Sequence, residues 1–308
     1  MAKSPKLRGG SKAKARTAEP RFPDPKLATG PYKPFTCGPG WGEAWWWLGF
    51  PILVTAFTIG SYQLDPAWYM RYVIPEGYGV LEVSHFFLPM FGLMIAAGLL
   101  FLPFVRARAF TFTLTLLVAL ACLYIAGEEM SWGQHFFQWN TPEYWAAVNR
   151  QQETNLHNTY YVFEKLPRNL LELGVVIGGL LVPLAAAFYP SLRANRFSLF
   201  LPPSALVPTA LGAVAFKAID RLDQIDVIGT VLQRPSETIE TYLYFFIFGY
   251  LVVYARRIRQ LEAEEGVIGG QAHTIRHGWA RPAHPRLGTR AVPKIVDARI
   301  KSGHDTGG

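Results

Sequence analysis

The sequence predicts an all-α fold, a polytopic membrane helix bundle of about six transmembrane helices with one interfacial amphipathic helix on the outer face. Three observations lead there. Half of the residues are hydrophobic and only 17% are charged. The apolar residues gather into runs of roughly 20, the length a helix needs to cross ~30 Å of hydrocarbon. The basic residues between those runs are abundant on one side and sparse on the other, as threading through a bilayer requires.

The apolar runs lie near 45–62, 80–104, 109–127, 170–189, 199–217 and 237–255. The segment before them, 1–44, is basic and rich in proline and glycine, and has no apolar stretch of the signal-peptide kind. It has too little apolar surface to offset chain entropy, so it reads as a disordered tail. Residues 261–308 read the same way. The predicted organisation is a basic cytoplasmic tail over 1–44, a transmembrane domain over 45–260 with a capping helix over 141–158, and a second basic tail over 261–308. Of the two cysteines, Cys37 falls in a tail and Cys122 inside a span, so no disulfide is expected.

The formal net charge of +8 does not indicate a nucleic-acid partner. The basic residues sit in tails and short loops, without the interleaved aromatics of a binding surface. Their placement instead orients the chain. Counting the two tails and the loops after the second and fourth runs gives 23 Lys and Arg; the remaining loops hold seven. The richer side should be cytoplasmic, which places both termini there and makes anionic lipid the natural partner of the tails.

Ionisable residues cluster at one end of the spans. Glu82 and His85 open the second run, Glu128 and Glu129 close the third, Glu172 opens the fourth, Lys217 and Asp220 close the fifth, and Glu237 and Glu240 open the sixth. The other halves of the runs carry no Asp, Glu, Lys, Arg or His. A charge deep in a bilayer costs ~2.5–3.5 kcal/mol on insertion scales, so such groups must pair, bind a cation or face water. Glu237 and Glu240 follow Pro235 and Ser236, a helix start whose dipole suits anions. Glu128 and Glu129 stand at a helix end, where the dipole disfavours them.

Spacing adds detail. Glu82 and His85 are three apart, the Glu-x-x-His pattern of di-metal carboxylate bundles. If the third helix continues past the membrane, Glu128, Ser131 or Trp132, and His135 share one face. In the following loop Thr141, Pro142 and Glu143 form a helix start. From there Asn149, Glu153 and His157 recur every four residues as a polar stripe, with Trp145, Val148 and Leu156 on the apolar side.

The stretch Gly127–Gln134, reading G-E-E-x-S-W-G-Q, is followed by Asn149, Gln151, Glu153, Asn155, His157 and Asn158. Together they resemble the signature of a family of polytopic bacterial membrane proteins with no assigned activity. The resemblance implies a shared outer-face site; the expected location is a bacterial inner (cytoplasmic) membrane. No P-loop, dinucleotide glycine motif, HExxH or CxxC pair is present, and G-x-S-x-G is absent around Ser131.

Three functions follow in order. The first is an enzyme whose Glu128, Glu129, Ser131 and Glu153 do the chemistry. His85, His135, His157, Glu82 and Glu240 would then hold a divalent metal (Zn or Fe) against a lipid or lipid-linked substrate. The second is a structural or assembly subunit that uses the polar cluster for docking. The third is a transporter or channel, against which the uncharged inner halves count.

Overall fold

The computed structural model describes residues 45–192, 197–225 and 230–278. Among these residues the regular structure is entirely helical and includes no strand. Six helices are long and apolar enough to cross a membrane, so the chain is an all-α polytopic bundle. They are α1 (Trp45–Leu64), α2 (Val80–Leu100), α3 (Ala109–Glu129), α4 (Tyr161–Phe188), α5 (Ser198–Gln224) and α6 (Pro235–Gly266). The chain divides into two units, Met1–Glu265 and Gly266–Gly308. The first holds the site; in the second, residues 266–278 are helical. The tail expected over 1–44 and most of that over 261–308 lie outside the described residues, as does Cys37. Cys122 is buried with a free thiol.

Two spans run longer than the apolar pattern suggests. α4 begins at Tyr161 rather than near 170, and α5 continues to Gln224 rather than ending near 217. Hydropathy marks only the part of a helix that sits in lipid. Polar residues do not stop a helix, and the ends of both project beyond the apolar layer. Within α4 one π-helical turn, Ile177–Leu181, separates α-helical Tyr161–Val176 from Val182–Phe188. Pro183 accounts for it, having no N–H to give and a ring that displaces the carbonyl four residues back.

The loop between α3 and α4 departs most from expectation. The helix predicted over 141–158 runs only over Glu143–Val148. At Asn149 the side chain takes over, its Oδ1 accepting the backbone N–H of Gln151 (2.9 Å) and of Glu153 (3.2 Å). Such local bonds offer the backbone an alternative to the helix. Asn149, Glu153 and His157 therefore lie on a folded loop, not on a helical stripe. Likewise α3 stops at Glu129, because Ser131, Trp132 and Gly133 have φ of 47°, 56° and 104°. Glu128, Ser131 and His135 thus share no helix face. The bend folds the Trp132 ring back onto Gly127, where an added Cβ would meet it at 2.9 Å.

α6 is the central helix. Two-thirds of its apolar window, 67%, is buried, against at most 39% for any other span. It passes through both core clusters, one containing Tyr69, Leu206, Phe216 and Tyr242, the other Leu99, Phe104, Tyr254 and Ile258. Lipid is as apolar as these side chains, so close packing and polar contacts hold such helices together. The Tyr242 hydroxyl binds α1 through Thr55 (2.6 Å) and the Pro51 carbonyl (2.6 Å). Gly179 lets α4 approach so closely that a Cβ there would fall 2.5 Å from Ala210 Cβ and 2.7 Å from Phe246.

A paired substitution checks this packing. Gly179→Val should destabilise the bundle by about 1–3 kcal/mol through overpacking. Gly60→Ala, whose Cβ meets nothing within 4 Å, should be neutral or stabilising by up to ~1 kcal/mol from helix propensity. Thermal unfolding in detergent reads both.

Candidate functional site

The site is built where α2 and α6 begin and α3 ends. Successive turns of α2 place Glu82 above His85, and both are buried. The last residue of α3 is Glu129. α6 contributes Glu237, Glu240, Thr241 and Tyr244, spaced to fall on one face. Ligand atoms of Glu82, His85 and Glu129 lie within 4.8 Å of one another, as do those of His85, Glu237 and Glu240. His85 is thus the shared member of two carboxylate groups.

The contacts of the imidazole place a hydrogen on one of its nitrogens. Its Nε2 lies 3.0 Å from the Glu237 backbone carbonyl and 2.9 Å from Thr241 Oγ1. A carbonyl oxygen only accepts, so Nε2 carries the hydrogen. In the neutral ring Nδ1 is then a bare lone pair. It is buried and makes no hydrogen bond. It faces Glu129 Oε2 at 3.5 Å and Glu240 Oε2 at 3.9 Å.

Each of those carboxylates has its other oxygen held. Tyr244 donates its hydroxyl to Glu129 Oε1 at 2.7 Å. Arg168, on α4, binds Glu240 Oε1 at 2.8 Å and Glu172 at 3.2 Å, and Lys217 on α5 reaches Glu172 at 2.9 Å. Arg234 binds Glu237 at 2.7 Å and Glu76 at 3.3 Å. Among the described residues, no arginine or lysine pairs with Glu82.

The loop after α3 roofs this cluster. Glu128 fastens it, accepting the Trp132 indole N–H on Oε1 (2.7 Å) and the backbone N–H groups of Leu156 (2.7 Å) and His157 (2.8 Å) on Oε2. Ser131, His135, Glu153 and Asn155 form a second knot. Ser131 Oγ donates to Glu153 Oε2 at 2.7 Å and accepts from Asn155 Nδ2 at 3.0 Å. His135 Nε2 lies 2.9 Å from Glu153 Oε1 and 3.0 Å from Ser131 Oγ. A hydrolytic relay needs the two imidazole nitrogens to face different partners. Here one nitrogen meets both, and Nδ1 is turned onto Gly77, where a Cβ would sit 2.2 Å away. Ser131 is fully buried in this arrangement, bonded to Glu153, His135 and Asn155 together.

His135 is held above its ordinary pKa, first by the bond to Glu153 and opposed by burial. Burial raises Glu153, but the bonds from His135, Ser131 and Asn155 outweigh it and hold the carboxylate below its usual value.

The structure brings Glu82, His85, Glu129 and Glu240 into one cluster. Glu128, Ser131, His135 and Glu153 fall in the roof. His157 hangs from Glu128 by its backbone and lines the cavity beneath. That cavity has a volume of about 640 Å³ and is bordered by Glu82, Glu129, Glu153, His157, Arg168 and Glu240 among others. Sequence reasoning passed over Tyr244, Thr241, Arg168 and Arg234 as site members. The first two were visible in principle, since Glu237, Glu240, Thr241 and Tyr244 recur at helical spacing on α6. The arginines reach in from other elements, which no local pattern reveals.

No known protein family, curated protein or solved structure matches this chain.

Two measurements test the roof. Glu128→Ala should cost about 1–2 kcal/mol, since it removes the acceptor of three part-buried N–H groups, and chemical denaturation would show it. The His135–Glu153 pair sets a pH window. The raised His135 contributes fully below its reference value of 6.5, and that contribution is lost as pH rises through the higher folded value. The lowered Glu153 contributes fully above 4.5, and its share is lost as pH falls through the lower folded value. The Tm gap between the wild type and Glu153→Gln should therefore be widest between about pH 4.5 and 6.5 and shrink on both sides.

Proposed function

We propose that this protein is a metal-dependent hydrolase or transferase acting at the outer face of the inner membrane on an ester, amide or phosphoester of a lipid or lipid-linked substrate. The observation that carries the reading is the buried Nδ1 of His85, without a hydrogen-bond partner and facing two carboxylates. At 3.5 and 3.9 Å the contacts are too long for charge-assisted hydrogen bonds, which run ~2.7–2.9 Å. Two ligands each ~2.1 Å from a tetrahedral ion lie about 3.4 Å apart. The spacing of Nδ1 and Glu129 Oε2 suits a shared divalent ion.

His85, Glu129 and Glu82 are the proposed ligands, a donor set of imidazole and carboxylate that suits zinc or iron. When bound, such an ion supplies a Lewis acid and an acidified water. Around it the protein's own groups have distinct tasks. Tyr244 and the Glu237 carbonyl orient Glu129 and His85 as outer-shell partners do. Glu240, turned by Arg168 so that its second oxygen faces His85, is placed to take the proton of the attacking water. Arg168 borders the cavity, where a leaving group or phosphate would meet positive charge, and His157 lines it too. Glu128, Ser131, His135 and Glu153 keep the roof in place.

Elemental analysis of the full chain purified in nanodiscs tests this. About one divalent ion per chain is expected, lost in His85→Ala and Glu129→Gln. Tyr244→Phe should weaken retention ~10-fold or more, as outer-shell substitutions do. Glu240→Gln should keep the metal and slow hydrolysis of a chromogenic lipid ester or phosphodiester by ~100-fold or more. A wild-type protein that takes up no zinc, iron or manganese and gains no thermal stability from them would sink the reading.

A further inference from the structure

Below the polar cavity lies a second, smaller one of about 270 Å³. Its walls are α3, through Val118 and Ala121, and α4, through Leu171 and Gly174; its floor is α6, through Ile247 and Tyr250. The lining is apolar, and the Tyr250 hydroxyl is committed to the Phe200 carbonyl at 3.1 Å. Ala121, Leu171 and Ile247 border both cavities, so the two adjoin. The pair makes one amphiphilic channel, acidic and basic at its top and apolar below.

We propose that this lower cavity binds one acyl chain of a phospholipid from the leaflet on the site's side, with the head group beneath the roof. This rests on the reading of the polar cluster as the reacting centre. Depth supports it. From Glu129 down to Val118 is eleven helical steps, ~16 Å at 1.5 Å per residue, about half of the ~30 Å hydrocarbon core and so the reach of a single leaflet. Chemistry supports it as well. Water has no partners among these side chains, and a chain in the lower cavity brings its ester or phosphate linkage to the level of His85 and Glu129. The wall has room: a Cβ added to Gly174 meets nothing within 4 Å. Ala121 and Gly174 are exposed positions on facing walls, and they set how wide a chain enters. Entry is sideways between α3 and α4, since the substrate is already in the membrane.

The test uses the full chain in nanodiscs containing phosphatidylglycerol with a photoreactive diazirine on one acyl chain. After irradiation, peptide mapping should find label concentrated on Ala121, Leu171 and Gly174. Gly174→Leu and Ala121→Trp, which fill the channel from exposed positions, should each cut that label at least fivefold. Leu184→Trp, on the exposed face of α4 away from the cavity, should leave it unchanged. Label spread evenly over exposed α1 and α4 surfaces, and indifferent to the two filling variants, would mean ordinary boundary lipid and overturn the proposal. Metal content measured in the same samples reports on the polar cluster separately. Metal retained without channel labelling defeats only the acyl-chain site, while metal absent with channel labelling defeats only the metal centre.

Discussion

Crowded negative charge beside a single imidazole is the constraint around which this end of the bundle is arranged. Glu82, Glu129, Glu237 and Glu240 all approach His85 at the edge of the apolar layer. Two like charges 4 Å apart repel by roughly 4 kcal/mol even at an effective dielectric constant of 20. The bundle surrounds these groups with counter-charge from Arg168 on Glu240 and Arg234 on Glu237, and with a hydrogen bond from the Tyr244 hydroxyl to Glu129. Those partners come from α4, from the turn before α6 and from α6 itself. The polar cluster thus dictates how the ends of the spans are drawn together.

The roof answers a second demand of the same constraint. Without it, Glu82, His85 and Glu129 would stand in open water at the end of the bundle, and their mutual geometry would depend on side-chain entropy. Glu128 borders the same cavity but bonds the loop, while its neighbour Glu129 joins the cluster. Glu128 turns the loop back over the site by collecting backbone N–H groups of Leu156 and His157. The left-handed residues Ser131 to Gly133 make that reversal sharp. Adjacent glutamates therefore divide two tasks, one building the enclosure and one occupying it, because successive positions at the end of a helix face different directions.

Much of the bundle was legible because lipid imposes a simple code. A run such as Phe110–Ile125 has to be helical and has to span, and the alternation of basic loops gives no freedom in the count. The level of the site was legible for the same reason, since any ionisable residue in those runs stands out. Its membership was read less evenly. Glu82 and His85 do share one helix, as their spacing implied. Glu128, Ser131 and His135 were grouped by assuming that α3 continued. What ended α3 was a left-handed turn at Ser131 and Trp132, non-glycine residues in which no sequence rule anticipates positive φ. The Asn149 turn is similar: asparagine is tolerated in a helix, and only the nearby N–H groups of Gln151 and Glu153 decided against one. Arg168 was invisible as a site residue because it sits in a polar stretch that hydropathy placed outside the span.

The distribution of polarity bears on the proposed enzyme as against a conduit. A transporter needs polar groups near the midplane, where its cargo must be held when both ends are closed. Here the polar cavity gives way to apolar walls at Ala121, Leu171 and Ile247, and residues 109–121 of α3, 173–188 of α4 and 247–255 of α6 include no Asp, Glu, Lys, Arg or His. An ion leaving His85 in that direction would meet hydrocarbon-like surface and a cost of several kcal/mol. An aliphatic chain would meet surface like its own. A pocket polar at its head, apolar at its foot and closed above by a folded loop matches the proposed lipid substrate more closely than it matches a path across the membrane.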